Sequence, residues 1–282
     1  MTRTFGKRVT CRKRGWNGLS VGSFLLGSFL LWTLMFVPPG LAAQSFEQFD
    51  KSFTLIGNWD TRIRNPDDEE RGNCGGRLGD YGEKLLNCSI PTDQLPLNSR
   101  AEAWLEFADH RMSPTLAECA LPTIPTIFGA GVYIWSFPDH LIFQYSDNAV
   151  GLITREIWMD GRGHPQARFL FQNGHSIGWW DGDDLIVEST NFTFDPDGMD
   201  DHLHMATSVR KKVTERYQIV DENILRLIIT LEDPTFLTRP FKYAFSLYRS
   251  PGGIEPAWEN CDPEASRNEV YFAYPGAKYG AD

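Results

Sequence analysis

Several features are scarce in this sequence, and each scarcity excludes a class of protein. There is no Gly-x-Gly-x-x-Gly and no Walker-type Gly-x-x-x-x-Gly-Lys-Ser/Thr, so phosphates of a nucleotide lack their usual glycine cradle. There is no His-Glu-x-x-His, which argues against a zincin mechanism. The five cysteines form no Cys-x-x-Cys pair, so a thiolate zinc site is poorly supported. Basic residues are outnumbered, 27 against 37 acidic, for a net charge of -10. A nucleic-acid partner needs the opposite balance to neutralise phosphates. Beyond the N-terminal region no apolar stretch is long enough to span a bilayer. No repeat of 20–50 residues and no low-complexity tract is present.

What is present is a 282-residue chain, 41% hydrophobic and 13% aromatic. That suffices for one large domain with a real core and excludes a disordered, collagen-like or disulfide-only chain. Arg3, Lys7, Arg8, Arg12, Lys13 and Arg14 form a basic start without acids, and Val21 to Val37 is nearly unbroken apolar sequence. Pro38-Pro39-Gly40 breaks the run, and Leu41-Ala42-Ala43-Gln44 offers small residues to a signal peptidase. This layout reads as a secretory signal over residues 1–43, the rival being an uncleaved anchor. Its removal takes the net charge to -16, which suits solubility and disfavours anionic membranes. A periplasmic or secreted protein without stable membrane insertion is expected.

Cysteine usage fits export. Cys11 lies in the signal, leaving Cys74, Cys88, Cys119 and Cys261. An even number in an oxidising compartment suggests two disulfides, with three possible pairings. A Cys74–Cys88 bridge would close a short Gly-rich loop, worth about 3 kcal/mol in the chain-entropy model. Cys119 would then tie an early loop to Cys261 near the C-terminus.

Residues 44–130 read as an irregular segment with one helix at about 98–109. Ser99 and Glu102 form a capping box, and Ala101, Trp104, Leu105 and Ala108 share a face. From Gly131 to residue 250 the pattern changes to strands: 132–137, 141–145, 152–159, 168–171, 176–180, 185–190, 209–219, 224–231 and 241–248. Turns such as Asp181-Gly182 separate them at hairpin distances. The expected fold is mainly β, an antiparallel up-and-down barrel of the lipocalin type or a strongly curled sheet, followed by a tail over 251–282. A barrel of about eight strands can hold one small ligand.

Three polar constellations stand out. Gly174-His175-Ser176-Ile177-Gly178 fits the nucleophile elbow Gly-x-Ser-x-Gly. However, Trp179-Trp180-Asp181-Gly182-Asp183-Asp184 continues as a hairpin rather than a helix, and the last histidine is His204, 28 residues after Ser176. A Gly-flanked bend between strands is the plainer reading. The second runs from Arg155 to Pro165. Alternation puts Arg155, Ile157 and Met159 on one face and Glu156, Trp158 and Asp160 on the other. If the latter face lines a cavity, two carboxylates sit beside an indole, where burial raises a carboxyl pKa towards useful acid–base range. His164 and His175 lie at two ends of one hairpin and are placed to converge with Asp160. The third is Asp195-Pro196-Asp197-Gly198-Met199-Asp200-Asp201-His202-Leu203-His204, whose carboxylates do not match an EF-hand. His202 and His204 would share a strand face and offer a pair for a transition metal, but a mobile acidic loop over a barrel mouth is the reading adopted. Glu215, Arg216 and Arg239 are assigned to structural ion pairs.

The runs Arg155-Glu-Ile-Trp-Met-Asp-Gly-Arg-Gly-His-Pro165 and Gly174-His-Ser-Ile-Gly-Trp-Trp-Asp-Gly-Asp-Asp-Leu-Ile-Val-Glu-Ser-Thr-Asn-Phe192 resemble a large, mostly uncharacterised family of exported bacterial proteins. Residues 97–119, Thr214–Tyr217, Asp233–Pro240 and Glu259-Asn-Cys261 resemble it too, so the likeness covers roughly 95–265. Thr207 and Lys212 stand where that family often has histidines. The resemblance implies export and a β-rich domain and supplies no activity.

Two functional readings follow. One is an exported enzyme, without cofactor or metal, performing general acid–base chemistry on a hydrophobic small molecule inside the barrel: an elimination, isomerisation, cyclisation or hydrolysis. His175 would be the base, Asp160 its orienter or the acid, His164 part of the same cluster, and Arg155 an anion stabiliser if it points inward. Trp158, Ser176, Trp179, Trp180 and Glu188 would contact substrate. The other is a non-catalytic carrier of such a molecule, with Trp158, Trp179 and Trp180 as contact surface. A serine hydrolase using Ser176 is a further alternative.

Overall fold

The computed structural model describes residues 51–60, 95–147, 151–200, 204–251 and 261–268. The expected signal, residues 1–43, and the Cys74–Cys88 pair lie outside them, as do Asp201, His202 and much of the 251–282 tail. The fold is mainly β, and nine strands close into a barrel. In chain order the strands are β1 Gly57–Asp60, β2 Gly131–Ser136, β3 His140–Asp147, β4 Gly151–Trp158, β5 His175–Asp181, β6 Asp184–Thr190, β7 Asp195–Asp200, β8 Met205–Thr207, β9 Lys212–Asp221, β10 Ile224–Glu232 and β11 Phe241–Ser250. Three described helices accompany them: α1 Ser99–Phe107, α2 Pro114–Glu118 and α3 Pro263–Asn268.

Around the barrel the order is β1-β11-β10-β9-β6-β5-β4-β3-β2, with β7 and β8 forming a separate two-stranded ribbon. The expected all-antiparallel meander is corrected at two places. First, β4 and β5 run parallel, overlapping only at Ile157↔Ser176 and Trp158↔Ile177. Parity requires such a pair, because a closed ring with an odd number of strands cannot alternate direction all the way round. Second, the chain leaves the barrel after β6 for the ribbon and returns as β9, which pairs antiparallel with β6. The strand that completes the ring comes from the segment read as irregular: β1 pairs with β11 through Asn58↔Ser250 and with β2 through Asn58↔Tyr133.

Alternation places the core. On β4 the inward positions Ile153, Arg155 and Ile157 are buried while Leu152, Thr154 and Glu156 are exposed. Phe143, Tyr145, Val187, Tyr217, Leu227 and Ile229 add buried side chains from the neighbouring strands. A short 3-10 turn at Thr126–Gly129 adds Phe128, whose ring is 6.3 Å from that of Tyr145.

Other local readings change. Asn98, not Ser99, caps α1: its Oδ1 accepts from the N–H groups of Arg100 and Ala101 while its Nδ2 donates to the Thr235 carbonyl. Residues 168–171 form a turn that touches Phe192 through one isolated bridge, rather than a strand. The acidic stretch from Asp195 is strand β7, not a loop, because its side chains have partners. Asp195 accepts from Thr123 Oγ1 at 2.6 Å, and Asp197 lies 3.2 Å from buried His204 Nδ1. Burial raises the Asp197 pKa despite that contact. Cys119 and Cys261 are disulfide-bonded, and Ser266 Oγ donates to the Leu116 carbonyl beside them, so α3 is tied to α2. Among the described residues no helix is long and apolar enough to cross a membrane.

Candidate functional site

Two polar clusters sit on opposite sides of the same stretch of barrel wall. The inner one centres on Arg155. Its Nη2 donates to Glu215 Oε1 at 2.8 Å and its Nη1 to Glu215 Oε2 at 3.2 Å, a two-pronged pair between β4 and β9. Nη1 also reaches Tyr145 Oη at 3.1 Å, and Nη2 reaches Ser176 Oγ at 3.2 Å and Ser189 Oγ at 3.1 Å. The Tyr217 hydroxyl donates to Glu215 at 2.7 Å. Arg155 is 3% exposed and Glu215 is fully buried. Burial alone would lower the guanidinium pKa, but Glu215 beside it outweighs that and holds it above its ordinary value. Burial pushes the Tyr145 phenol up to about 12, and that of Tyr217 well above its usual value. Arg155, Tyr145 and Tyr217 therefore all keep their protons near neutral pH. Arg155 does point inward, as the enzyme reading required, but its charge is already matched by Glu215.

Ser176 belongs to this inner cluster. Its Oγ lies 2.7 Å from Ser189 Oγ, and the chain continues along β5 into a hairpin. The strand-to-helix turn that a nucleophile elbow needs is not formed at this serine. The two glycines of the motif have packing reasons instead. A side chain at Gly174, where φ is +70°, would meet the Phe192 ring at 2.6 Å; one at Gly178 would meet Met159 Sδ at 2.6 Å and Ile157 at 2.9 Å, where β4 approaches β5.

The outer cluster joins His164, His175, Glu188 and Lys212. Ser176 faces inward, so His175 faces out; Val187, Ser189 and Val213 are buried, so Glu188 and Lys212 face out as well. His164 arrives from the segment between β4 and β5. Its Nδ1 lies 3.0 Å from Nδ1 of His175, with ring centroids 5.1 Å apart and planes at 76°. The two nitrogens thus meet between the rings. His164 Nε2 lies 3.4 Å from Glu188 Oε1, and Lys212 Nζ lies 2.6 Å from Glu188 Oε2.

This geometry assigns the tautomers. A neutral imidazole has one N–H and one lone pair, so one facing Nδ1 must donate and the other accept. His164 Nε2 is 3.4 Å from Glu188 Oε1 without hydrogen-bond geometry, but the carboxylate's charge still favours a hydrogen there, leaving His164 Nδ1 as acceptor. His175 Nδ1–H then donates, and His175 Nε2 carries a lone pair with no hydrogen-bond partner among the described residues. Burial lowers the His164 pKa although Glu188 opposes it; burial, His164 and Arg162 together lower that of His175. Both rings are therefore neutral at pH 7.

The remaining expected site residues lie elsewhere. Asp160 does not reach His175. It faces out, and Arg162 binds it through Nε at 2.9 Å to each carboxylate oxygen, which lowers its pKa. The face of Glu156, Trp158 and Asp160 is on the outside of the barrel, so the expectation that it lines a cavity is corrected: apolar Ile157 and Met159 take the inner face. The Arg162 guanidinium lies 3.5 Å over the Trp158 ring. Trp179 is exposed, and Trp180 packs against the core. Glu188, expected at a substrate contact, lies 3.4 Å from His164 Nε2 and 2.6 Å from Lys212 Nζ. Phe169, Leu170 and Phe171 are exposed in succession, and the Phe171 ring is 6.1 Å from that of His175.

Sequence reasoning missed the partners of Arg155, since Glu215 lies sixty residues away on another strand. It also missed buried Lys211. The Lys211 Nζ donates to the Ile124 carbonyl at 2.7 Å and stands 4.3 Å over the Phe192 ring, and burial lowers its pKa to about 8. Among the described residues no group of three His, Cys, Asp or Glu side chains is placed to hold a metal ion. The chain matches no protein-family model, no curated protein and no solved structure.

Proposed function

We propose that the chain is an exported enzyme that acts on a hydrophobic small molecule by general acid–base chemistry, with His175 as the base. The observation that carries this reading is the 3.0 Å contact between the two Nδ1 atoms, backed by Glu188 on the far side of His164. A neutral imidazole whose lone pair is unpartnered, and whose other nitrogen is held by a hydrogen bond, is the arrangement of an oriented base. When His175 Nε2 takes a proton, the positive charge is shared through Nδ1–H to His164 and stabilised by the Glu188 carboxylate. The same proton is then available to a leaving group or a second carbon. Lys212 Nζ, 2.6 Å from Glu188 Oε2, holds that carboxylate in place. The exposed Phe169, Leu170 and Phe171 supply apolar contact beside the base. The reaction class is elimination, isomerisation, cyclisation or hydrolysis. The site lies on the outer wall of the barrel rather than in its interior. Export rests on the N-terminal charge and apolar pattern, the Cys119–Cys261 disulfide and the motif resemblance to exported bacterial proteins.

Imidazole nitrogen NMR at pH 7.5 is the first test, with hydrogens expected on His175 Nδ1 and His164 Nε2. Turnover of candidate compounds from a metabolite screen should fall by about 10²-fold or more in His175→Gln. Full turnover in that variant would remove the assigned base. Ligand capture that is equal in both proteins, without turnover in either, would favour the carrier.

A further inference from the structure

The two histidines lie at the ends of an irregular segment between β4 and β5, eleven positions apart, so something outside that segment must hold them in register. We infer that Asn191 and Phe192, consecutive residues just after β6, are the positioning residues of the dyad. This inference rests on the reading of the dyad as an oriented base.

Asn191 adopts φ +62°, the left-handed region that asparagine tolerates better than most residues. That conformation turns its carboxamide onto the loop directly following His164. Nδ2 donates to the carbonyls of Pro165 at 3.3 Å, Gln166 at 3.1 Å and Phe169 at 2.9 Å. Oδ1 accepts from Thr190 Oγ1 at 2.8 Å, so the whole carboxamide is used. The main chain continues the clamp, because the Phe171 N–H donates to the Asn191 carbonyl at 2.8 Å and the Thr193 N–H donates to the Phe171 carbonyl at 3.0 Å. One residue fixes the segment at four points.

Phe192 fixes the other end. Its fully buried ring lies against Gly174, immediately before His175, so closely that no larger residue fits there. Lys211 Nζ also stands 4.3 Å over that ring. Asn191 therefore sets where His164 stands and Phe192 sets where His175 stands, and their peptide bond couples the two settings. An N–H···N bond weakens steeply with lengthening and misalignment, so a shift of a few tenths of an ångström at either ring interrupts the relay.

The test uses the full chain after removal of any signal and compares wild type, Asn191→Asp and Asn191→Gly. Aspartate keeps the shape but replaces the donor with an acceptor facing three carbonyls. Glycine adopts φ +62° freely and removes only the side-chain bonds, so it remains informative if the aspartate variant fails to fold. The readout is the tautomer state of His164 and His175 by imidazole nitrogen NMR, alongside Tm. In both variants the single wild-type tautomers should give way to mixtures, and any turnover dependent on His175 should fall at least tenfold. Wild-type imidazole spectra in both variants would overturn the inference. A wild-type protein lacking the His175 Nδ1–H would instead overturn the reading of the dyad, so the two failures are distinguishable.

Discussion

Glu215→Leu is the most informative perturbation of this fold. It leaves the Arg155 guanidinium in a site where the side chain is almost wholly removed from water, with only the Tyr145, Ser176 and Ser189 oxygens as partners. A buried charge deprived of its counter-ion costs about 3–5 kcal/mol. The Tyr217 hydroxyl also loses its acceptor, adding about 1–2 kcal/mol. Together these shift Tm downward by roughly 8–28 °C for a domain of this size. The double variant Arg155→Met/Glu215→Leu removes both charges while keeping bulk. It should recover to within about 2 kcal/mol of wild type, because an apolar pair avoids the desolvation that the ion pair bears. Urea unfolding of wild type, both single variants and the double variant gives the cycle, and m must stay constant for the comparison to hold. A single-variant loss under about 1 kcal/mol, or a double variant as unstable as the sum of the singles, would refute the claim that the inner cluster is a mutually dependent buried pair.

Three further outcomes are expected. The Lys211 pKa is lower in the folded protein than in the unfolded chain, so between pH 8 and about 10 the unfolded state holds the extra proton and stability rises with pH. The rise should approach about 2–3 kcal/mol and be missing in Lys211→Met, read as urea midpoints across that range. The His164 and His175 pKa values are also lowered, so their contribution is present above about pH 6.5 and lost as pH falls below it; His164→Gln/His175→Gln should lose less stability than wild type on acidification to pH 5. Gly174→Ala introduces a Cβ against the Phe192 ring at a left-handed residue and should cost about 2–4 kcal/mol by chemical unfolding, whereas an unchanged midpoint would show that the contact yields.

Much of the β domain is legible because period-2 alternation survives in the letters. The hairpins β2–β3, β5–β6 and β9–β10 lie where apolar alternation meets turn residues, and Asp181-Gly182 turns the second of them. The same alternation separates the faces of β4 correctly but does not say which is inside. The Glu156, Trp158 and Asp160 face reads as a candidate cavity lining, and only the contact of Arg155 with Glu215 explains why a guanidinium occupies the inner face. His164 and His175 were recognisable as a converging pair, although an irregular segment rather than a hairpin joins them, yet which carboxylate stands beside them, Asp160 or Glu188, was not. Asp160 has Arg162 two residues away and is satisfied locally; Glu188 reaches His164 only because β6 lies next to β5.

Local preferences are written in the letters: which residues extend, where the chain turns, and that glycine stands at positions 174 and 178. The ring of nine, the parallel contact that an odd ring demands and the side of the wall on which each polar cluster sits come from the folded arrangement alone. Those depend on pairings between strands far apart in the chain, and free energies of burial and charge pairing have no value until the partner is in place.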